Sequence, residues 1–400
     1  MALFNGSNAP VLKVYLDTGN RNSGVFTLGW SLLGGTDKLN TYTPFSILTP
    51  IPITDVKQLN IRRGRTREDQ QFQPGQLTLI LDNRSGNYDP ENPSSTFVSS
   101  TGVQMLVSGS GIRVTATWGG TEYNLYSGYI ESMDKDLSLA PVVTITCTDG
   151  LAKLGRLMTA YSPLGVPDAY AVDGILSSVD WNGGSDTGSH ANYYMGSVPN
   201  DTNALDMCSV IATQQLGRFF ATPSGSVQFI NGGYINTVPT TPMLLTDDRT
   251  VSNAIEYDEI SIIGGEKYLL NIVNATAQVG APATTYTVTK SNANSTTRFG
   301  PYPTDIEFYL FQSADVDTLA QAYADHFATP AYRVDHVGFD ALGLSSTTWV
   351  SILTSDLGSP VTVKRTPVYM SELTYLSVIE ELNHDITPTS WRVSMTLSPQ

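Results

Sequence analysis

The sequence predicts a mainly β protein with a few short helices, divided into several domains. Three observations carry this. Only 15% of the 400 residues are charged, while Ser, Thr, Gly, Asn, Pro and Tyr are abundant, a composition of strands and turns rather than of helices with charged faces. Period-two alternation between turn residues recurs along the chain. The length exceeds one ordinary core, and ~100–200 residues per domain gives two to four domains.

Residues 1–44 read as an N-terminal β segment, with strands at VLKVYLDT (11–18) and GVFTLGWSLLG (24–34). TPFSILTPIPIT (43–54) is proline-rich, which favours an edge or a connector over a central strand. Residues 45–155 are the most patterned part. DVKQLNIRRGRTREDQQFQPGQLTLILDN (55–83) alternates, breaks at a polar passage with Gly and Pro, and resumes with Leu77, Leu79 and Leu81 on one face. RVTATW and EYNLYSGYI flank Gly119-Gly120 as the arms of a hairpin, and VVTITCTD leads into a short helix at GLAKLGRL. Strands at this spacing predict a small barrel or sandwich over 45–155.

Residues 156–245 read as a mixed α+β insertion. In TNALDMCSVIATQQLGRFF (202–220), Leu205, Cys208, Ala212 and Leu216 recur at steps of three and four with Ile211 beside them, predicting a helix of about three turns with one apolar face. ATPSGSVQFINGG then supplies a strand between turns, so the helix leads into a hairpin. Residues 246–400 return to strands at DDRTVSNAIEYDEISIIGG, NIVNATAQVG, TVKRTPVYM, TYLSVIEELNHDI and SWRVSMTLSP. A second helix, ADVDTLAQAYADHFA (314–328), ends before Pro330.

Charge and cysteine exclude several classes. The formal net charge is −15, split as −1 over residues 1–155 and −14 over 156–400. Tight nucleic-acid binding needs cations that displace phosphate counterions, so the second part is unsuited to it. Cys147 and Cys208 predict two buried, reduced thiols and maturation in a reducing cytoplasm. MALFNGSNAP lacks the basic start and apolar run of a signal peptide, and no window approaches ~18 uninterrupted apolar residues, so a soluble chain without a membrane anchor is expected.

Catalytic motifs are missing from the sequence. There is no G-x-S-x-G, H-E-x-x-H, G-x-x-x-x-G-K-[ST] or G-x-G-x-x-G. His190, His326, His336 and His384 do not pair at metal-binding spacing, and Asp134/Asp136 or Glu380/Glu381 are neighbours in sequence rather than carboxylates facing across a bond. LILDNRSGNYDPENPSS (79–95) resembles a calcium loop only superficially: counting from Asp82, Arg84 takes the third place, Asn87 the sixth, and Gly86 falls one early. Asn83, Ser85, Gly86, Pro90 and Pro93 instead suit a turn. No enzyme activity, metal or cofactor is expected. The one basic concentration, Arg62, Arg63, Arg65 and Arg67, places Arg63, Arg65 and Arg67 on one face of a strand, suited to ion pairs between strands or subunits.

The block from DVKQLNIRRGRTRED to NPSS, with GIRVTATW and LYSGYIES, resembles the opening domain of tail-tip proteins of long-tailed phages: an R-G-R strand, a P-G turn, an L-x-L-x-N strand and a G-x-Y/F-x-P-x-N loop. LDMCSVIATQQLGRFFATPSGSVQF is similar to that family's helix and following hairpin, VSNAIEY to the strand opening its next domain, and VIEELNHDITPTSWRVSMTLSP to its closing strands. The resemblance covers most of residues 50–400. Glu381-Leu382-Asn383 stand where the family often has Gly shortly before the His, and no appended peptidase or glycosidase domain is visible.

The resemblance implies a baseplate or tail-tip hub: a homotrimer whose two β-barrel, tube-like domains per chain, here 45–155 and 246–400 around the insertion 156–245, continue a sixfold tail tube. The partners implied are other tail proteins, with phage DNA passing without specific binding. The site implied is the virion tail tip, after assembly in the host bacterial cytoplasm. Within the family a hexameric distal tail protein is the closest competitor. A carbohydrate- or receptor-binding β protein is a further reading, for which 20 Tyr and the loop SDTGSHANYYMG (185–196) speak.

Overall fold

A computed structural model describes residues 9–17, 48–98, 102, 104–136, 138–159, 161–188, 193–197, 202–232, 242–330 and 332–400. The strand expected at 24–34 lies outside them. The fold is mainly β with a few short helices.

The first half holds β1 (Val11–Asp17), β2 (Leu48–Ile51), β3 (Val56–Gly64), β4 (Gln73–Asp82), β5 (Gly111–Trp118), β6 (Thr121–Asp136) and β7 (Val142–Thr148). They pair antiparallel in the order β3-β4-β7-β6-β5-β1-β2. The alternation read from the sequence becomes rows across strands. Ile61, Leu77 and Cys147 stand side by side, as do Leu59, Leu79 and Ile145, all at most 1% exposed. Such side-by-side apolar pairs fix the register, because a slip of one residue would turn the whole set to the other face. Gly119 and Gly120 have φ of 57° and 82°, the conformation a two-residue hairpin turn requires and glycine adopts without strain.

The middle of the chain is built from small pieces: α1 (Gly150–Leu154), β8 (Val166–Pro167), α2 (Asp168–Ser178), β9 (Ser185–Asp186), β10 (Tyr194–Met195), α3 (Ala204–Thr213), β11 (Arg218–Ala221) and β12 (Val227–Ile230). Asn203 caps α3 by accepting the Asp206 N–H. Its buried face is Ala204, Met207, Cys208, Ile211 and Ala212, which corrects the expected stripe at two positions. Leu205 is only partly buried, and Leu216 lies past the helix in the left-handed region at φ 55°. The helix ends at Thr213, so the turn that would have carried Leu216 onto the face is never made. Cys147 and Cys208 are both buried and unpaired with each other, and burial pushes both thiols up.

The second half holds β13 (Met243–Thr246), β14 (Ile255–Glu256), β15 (Glu259–Ile263), β16 (Ile272–Val279), β17 (Thr284–Ser291), α4 (Ala293–Phe299), β18 (Pro303–Phe308), α5 (Ser313–His326), β19 (Arg333–Asp340), α6 (Trp349–Thr354), β20 (Pro360–Arg365), β21 (Leu373–Thr387) and β22 (Ser390–Pro399). A three-stranded sheet β17-β16-β18 packs under α5; Val273, Ala275 and Ala277 are buried with Val316, Leu319 and Ala320. The remaining strands join the first half. Along one edge of β21, β20 pairs with residues 373–378 and β3 with residues 381–386, while β22 covers the other edge. Fourteen strands thus form one sheet. The sequence anticipates two barrels, near 45–155 and 246–400; the described strand pairings close neither and instead run both halves together at β3 and β21.

Candidate functional site

Among the described residues, a cluster of buried charge gathers where β3 meets β21. Both strands are irregular there, with register shifts between Arg62 and Gly64 and between Ile379 and Glu381. Such bulges re-aim a side chain, and here Glu380, fully buried, is turned inward while Glu381 stays outward. Gly64 is required at the crossing: its φ is 128° and an added Cβ would sit 2.2 Å from the Glu380 carbonyl oxygen. The Arg65 N–H donates to that same oxygen at 2.9 Å.

Three segments converge on the Glu380 carboxylate. Arg65 Nε donates to it at 2.6 Å, Arg218 Nη2 donates from β11, and Ser398 Oγ donates at 2.6 Å from β22. Arg65 also donates to the Gln70 carbonyl at 2.9 Å and lies over the Phe72 ring at 4.5 Å. Burial pushes the Glu380 carboxyl up, but the Arg218 and Arg65 charges with their hydrogen bonds outweigh it and hold it below its ordinary value. Next to this cluster, Arg63 donates to the Ala221 carbonyl at 2.9 Å and pairs with Asp356.

The four arginines therefore divide. Arg63 and Arg65 share the buried face, as the spacing predicts. Arg67 does not join them: β3 ends at Gly64, and Arg65 is still held against β21 by its N–H to the Glu380 carbonyl, whereas Arg67 lies on the surface, paired with Asp69 and stacked on Tyr268 at 5.0 Å. Arg62 is exposed and grips Glu381 with two hydrogen bonds of 3.0 and 2.8 Å. All four meet carboxylates of the same chain. Sequence reasoning weighed Glu380 only as half of an acidic pair with Glu381 and missed Arg218, whose trace is an arginine at the head of R-F-F-A, a strand whose four residues are all buried.

The loop that resembles a calcium site spends its oxygens on itself. Asn83 Oδ1 accepts the Tyr88 N–H at 2.9 Å, Asn87 Oδ1 accepts the Thr96 N–H at 2.7 Å, and Asn92 donates to the Gly86 carbonyl at 2.8 Å. Tyr88, fully buried, donates its hydroxyl to Asp55 at 2.6 Å. Hydrogen bonds from Arg84 hold the Asp82 carboxyl well below the usual range. Among the described residues no three His, Cys, Asp or Glu side chains gather to hold a metal. His326 and His336 lie beside Glu68 and Glu259, at 3.2 and 3.7 Å, and His384 is buried against Trp391; His190 lies outside the described residues. No helix among the described residues is long and apolar enough to cross a membrane.

Neither a family model nor a curated protein matches the sequence. Solved structures do. A tail protein from Neisseria meningitidis MC58 aligns with a TM-score of 0.59 at 9% identity, covering 96% of each chain. The prophage MuSo2 43 kDa tail protein from Shewanella oneidensis aligns with a TM-score of 0.56 at 9% identity, covering 97% of this chain and 98% of that one. The chain has the fold of a phage tail protein. The likeness runs through the joined sheet and residues 156–245 alike, since almost nothing in either chain is left over. At 9% identity what is shared is the arrangement of elements.

Proposed function

We propose that the chain is a structural protein of the virion tail tip: a baseplate hub, assembled in the host cytoplasm, that caps the tail tube and adapts it to the tip. The observation that carries this is the full-length likeness to two phage tail proteins, together with the four sequence matches in order along residues 50–400. In this reading residues 45–155 and 246–400 act as the two tube-like domains and 156–245 as the insertion. The chain works as a homotrimer with other tail proteins as neighbours, and performs no catalysis.

The mechanism is mechanical and electrostatic. Subunit contacts cover sheet edges, and the exposed arginines of the cluster, Arg62 and Arg67, are candidates for those contacts. The net −14 of residues 156–400 lines a channel through which phage DNA slides without adhering, because like charge repels the phosphate backbone. Native mass measurement tests the reading: three copies are expected, whereas six copies make the chain a distal tail ring and release of sugar or peptide from purified cell wall makes it a lytic enzyme.

A further inference from the structure

The three-stranded sheet β17-β16-β18 ends in two edges that no other described strand covers. Proteins guard such edges with proline, charge, bulges or short length, because their free N–H and C=O groups template pairing with another chain. The two edges here differ. β17, TTYTVTKS, runs eight residues in unbroken register with β16, holds neither proline nor glycine, and carries one charge, Lys290, which is paired with Asp317 of α5. It is unguarded. β18, PTDIEF, opens on Pro303 and turns Asp305 and Glu307 to solvent, so two β18 edges brought together would set carboxylate against carboxylate.

The two edges complement each other in direction and in chemistry. β16 runs antiparallel to β17 and parallel to β18, so β17 and β18 point opposite ways. Copies related by rotation about an axis along the strands therefore bring β18 of one against β17 of the next as an antiparallel pair, and the same step repeats from copy to copy. The faces match as well. Thr287–Thr276–Glu307 and Thr289–Asn274–Asp305 are rows of the solvent face, and Val288–Ala275–Ile306 is a row of the face under α5. Pairing sets the Thr285, Thr287 and Thr289 hydroxyls, which can donate, beside carboxylates that only accept, and Glu307 has no hydrogen bond or ion pair among the described residues. On the other face Val288 and Ile306, each half-buried at its edge, cover one another.

We propose that β17 of one copy pairs edge to edge with β18 of a second copy of this chain, continuing the three-stranded sheet from subunit to subunit. This gives the homotrimer reading a specific contact, and rests on that reading only for the number of copies.

Co-expression of full chains carrying Thr287→Cys with full chains carrying Glu307→Cys, followed by a short thiol-to-thiol cross-linker, tests the contact. Both positions are exposed, and the native Cys147 and Cys208 are buried. A cross-linked pair is expected in the mixture and in neither variant alone. Cross-linking of Thr287→Cys alone, which reports β17 against β17, cross-linking of Glu307→Cys alone, or none in the mixture overturns the proposal. As a second measurement, Thr287→Glu should raise the concentration at half-assembly about tenfold or more by setting like charges together, and adding Glu307→Lys to the same chain should bring it back. A loss that Glu307→Lys does not repair also overturns it. Native mass keeps the two readings apart: three copies without the cross-link leave the hub standing and refute the pairing, whereas the cross-link in an assembly of another size keeps the pairing and refutes the trimer.

Discussion

The β3–β21 junction and the loop at 83–98 are both dense in polar side chains, and they dispose of them in opposite ways. The loop turns neutral amides and hydroxyls onto its own N–H groups and keeps its charged pairs, such as Lys135 with Asp89 at 2.9 Å, near solvent. The junction buries three full charges from three distant segments. A hydrogen-bonded amide is tolerated in a dry interior, whereas a charge needs its partner. The loop is thus a local scaffold, and the junction is a lock whose members depend on one another.

Breaking the lock should have the largest effect. Glu380→Gln leaves Arg65 and Arg218 without a counter-charge, at a cost of about 3–5 kcal/mol, read as a drop in the denaturation midpoint. Because the double variant with Arg218→Met leaves one buried cation rather than two without a carboxylate, it should recover part of that loss. A Glu380→Gln cost below ~1 kcal/mol, the size of a surface pair, would erase the distinction between the two regions.

Two titrating groups beside the junction act with opposite sign. His384 is buried and its Nδ1 accepts the Trp391 indole N–H at 3.2 Å; burial pulls it down to about 3. Its folded value lies below the unfolded one, near 6.5, so the unfolded chain binds the proton more readily. The stability it contributes is complete above 6.5 and is lost as pH falls toward 3. Asp149 caps α1, accepts the Gly75 N–H at 2.7 Å, and is pushed up to about 7 by burial. Its contribution is complete below the unfolded value, near 3.8, and is lost as pH rises through 7. Each slope is about 1.4 kcal/mol per pH unit, and between pH 4 and 6.5 they oppose. Urea midpoints of the wild type should therefore be nearly level there, with His384→Phe gaining stability on acidification and Asp149→Asn losing it. Level profiles in both variants would contradict these assignments.

The loop should answer more mildly. Asn83→Ala removes the acceptor of the buried Tyr88 N–H, at about 1–3 kcal/mol, and amide exchange should rise within 83–98 while β3 and β21 remain protected. Equal exchange in both regions would show that the loop is not self-contained.

What could be read from the sequence follows how local each cause is. Leu77, Leu79 and Leu81 alternate within five residues, and Gly119-Gly120 is a turn signal in two, so both are legible. Residues 293–299 give no helix signal in the sequence, because ANSTTRF has little helix preference; the Asn292 cap and the buried Asn271–Ser295 hydrogen bond of 3.0 Å hold the helix. The pairing of Asn60 with Asp385, which joins the two halves, spans the chain and leaves no local pattern. The junction was half legible. The arginines announce themselves by number, but Glu380 and Glu381 look alike, and only a bulge sends one inward and the other out.

The smallest expected effect is at the pair on the other side of that bulge. Arg62 and Glu381 are one residue from their buried counterparts, yet Arg62 is 55% exposed. Arg62→Met should change unfolding stability by less than about 1 kcal/mol, and by less still in high salt. The two residues also line an open groove of about 660 Å³, in the region proposed to meet a second subunit. If that contact forms, Arg62→Met should lower the copy number seen by native mass while the unfolding midpoint of the separated chain hardly moves. A variant that keeps the wild-type assembly would leave Arg62 with only its bond to Glu381, and would move the candidate contact to Arg67 and its Tyr268 platform.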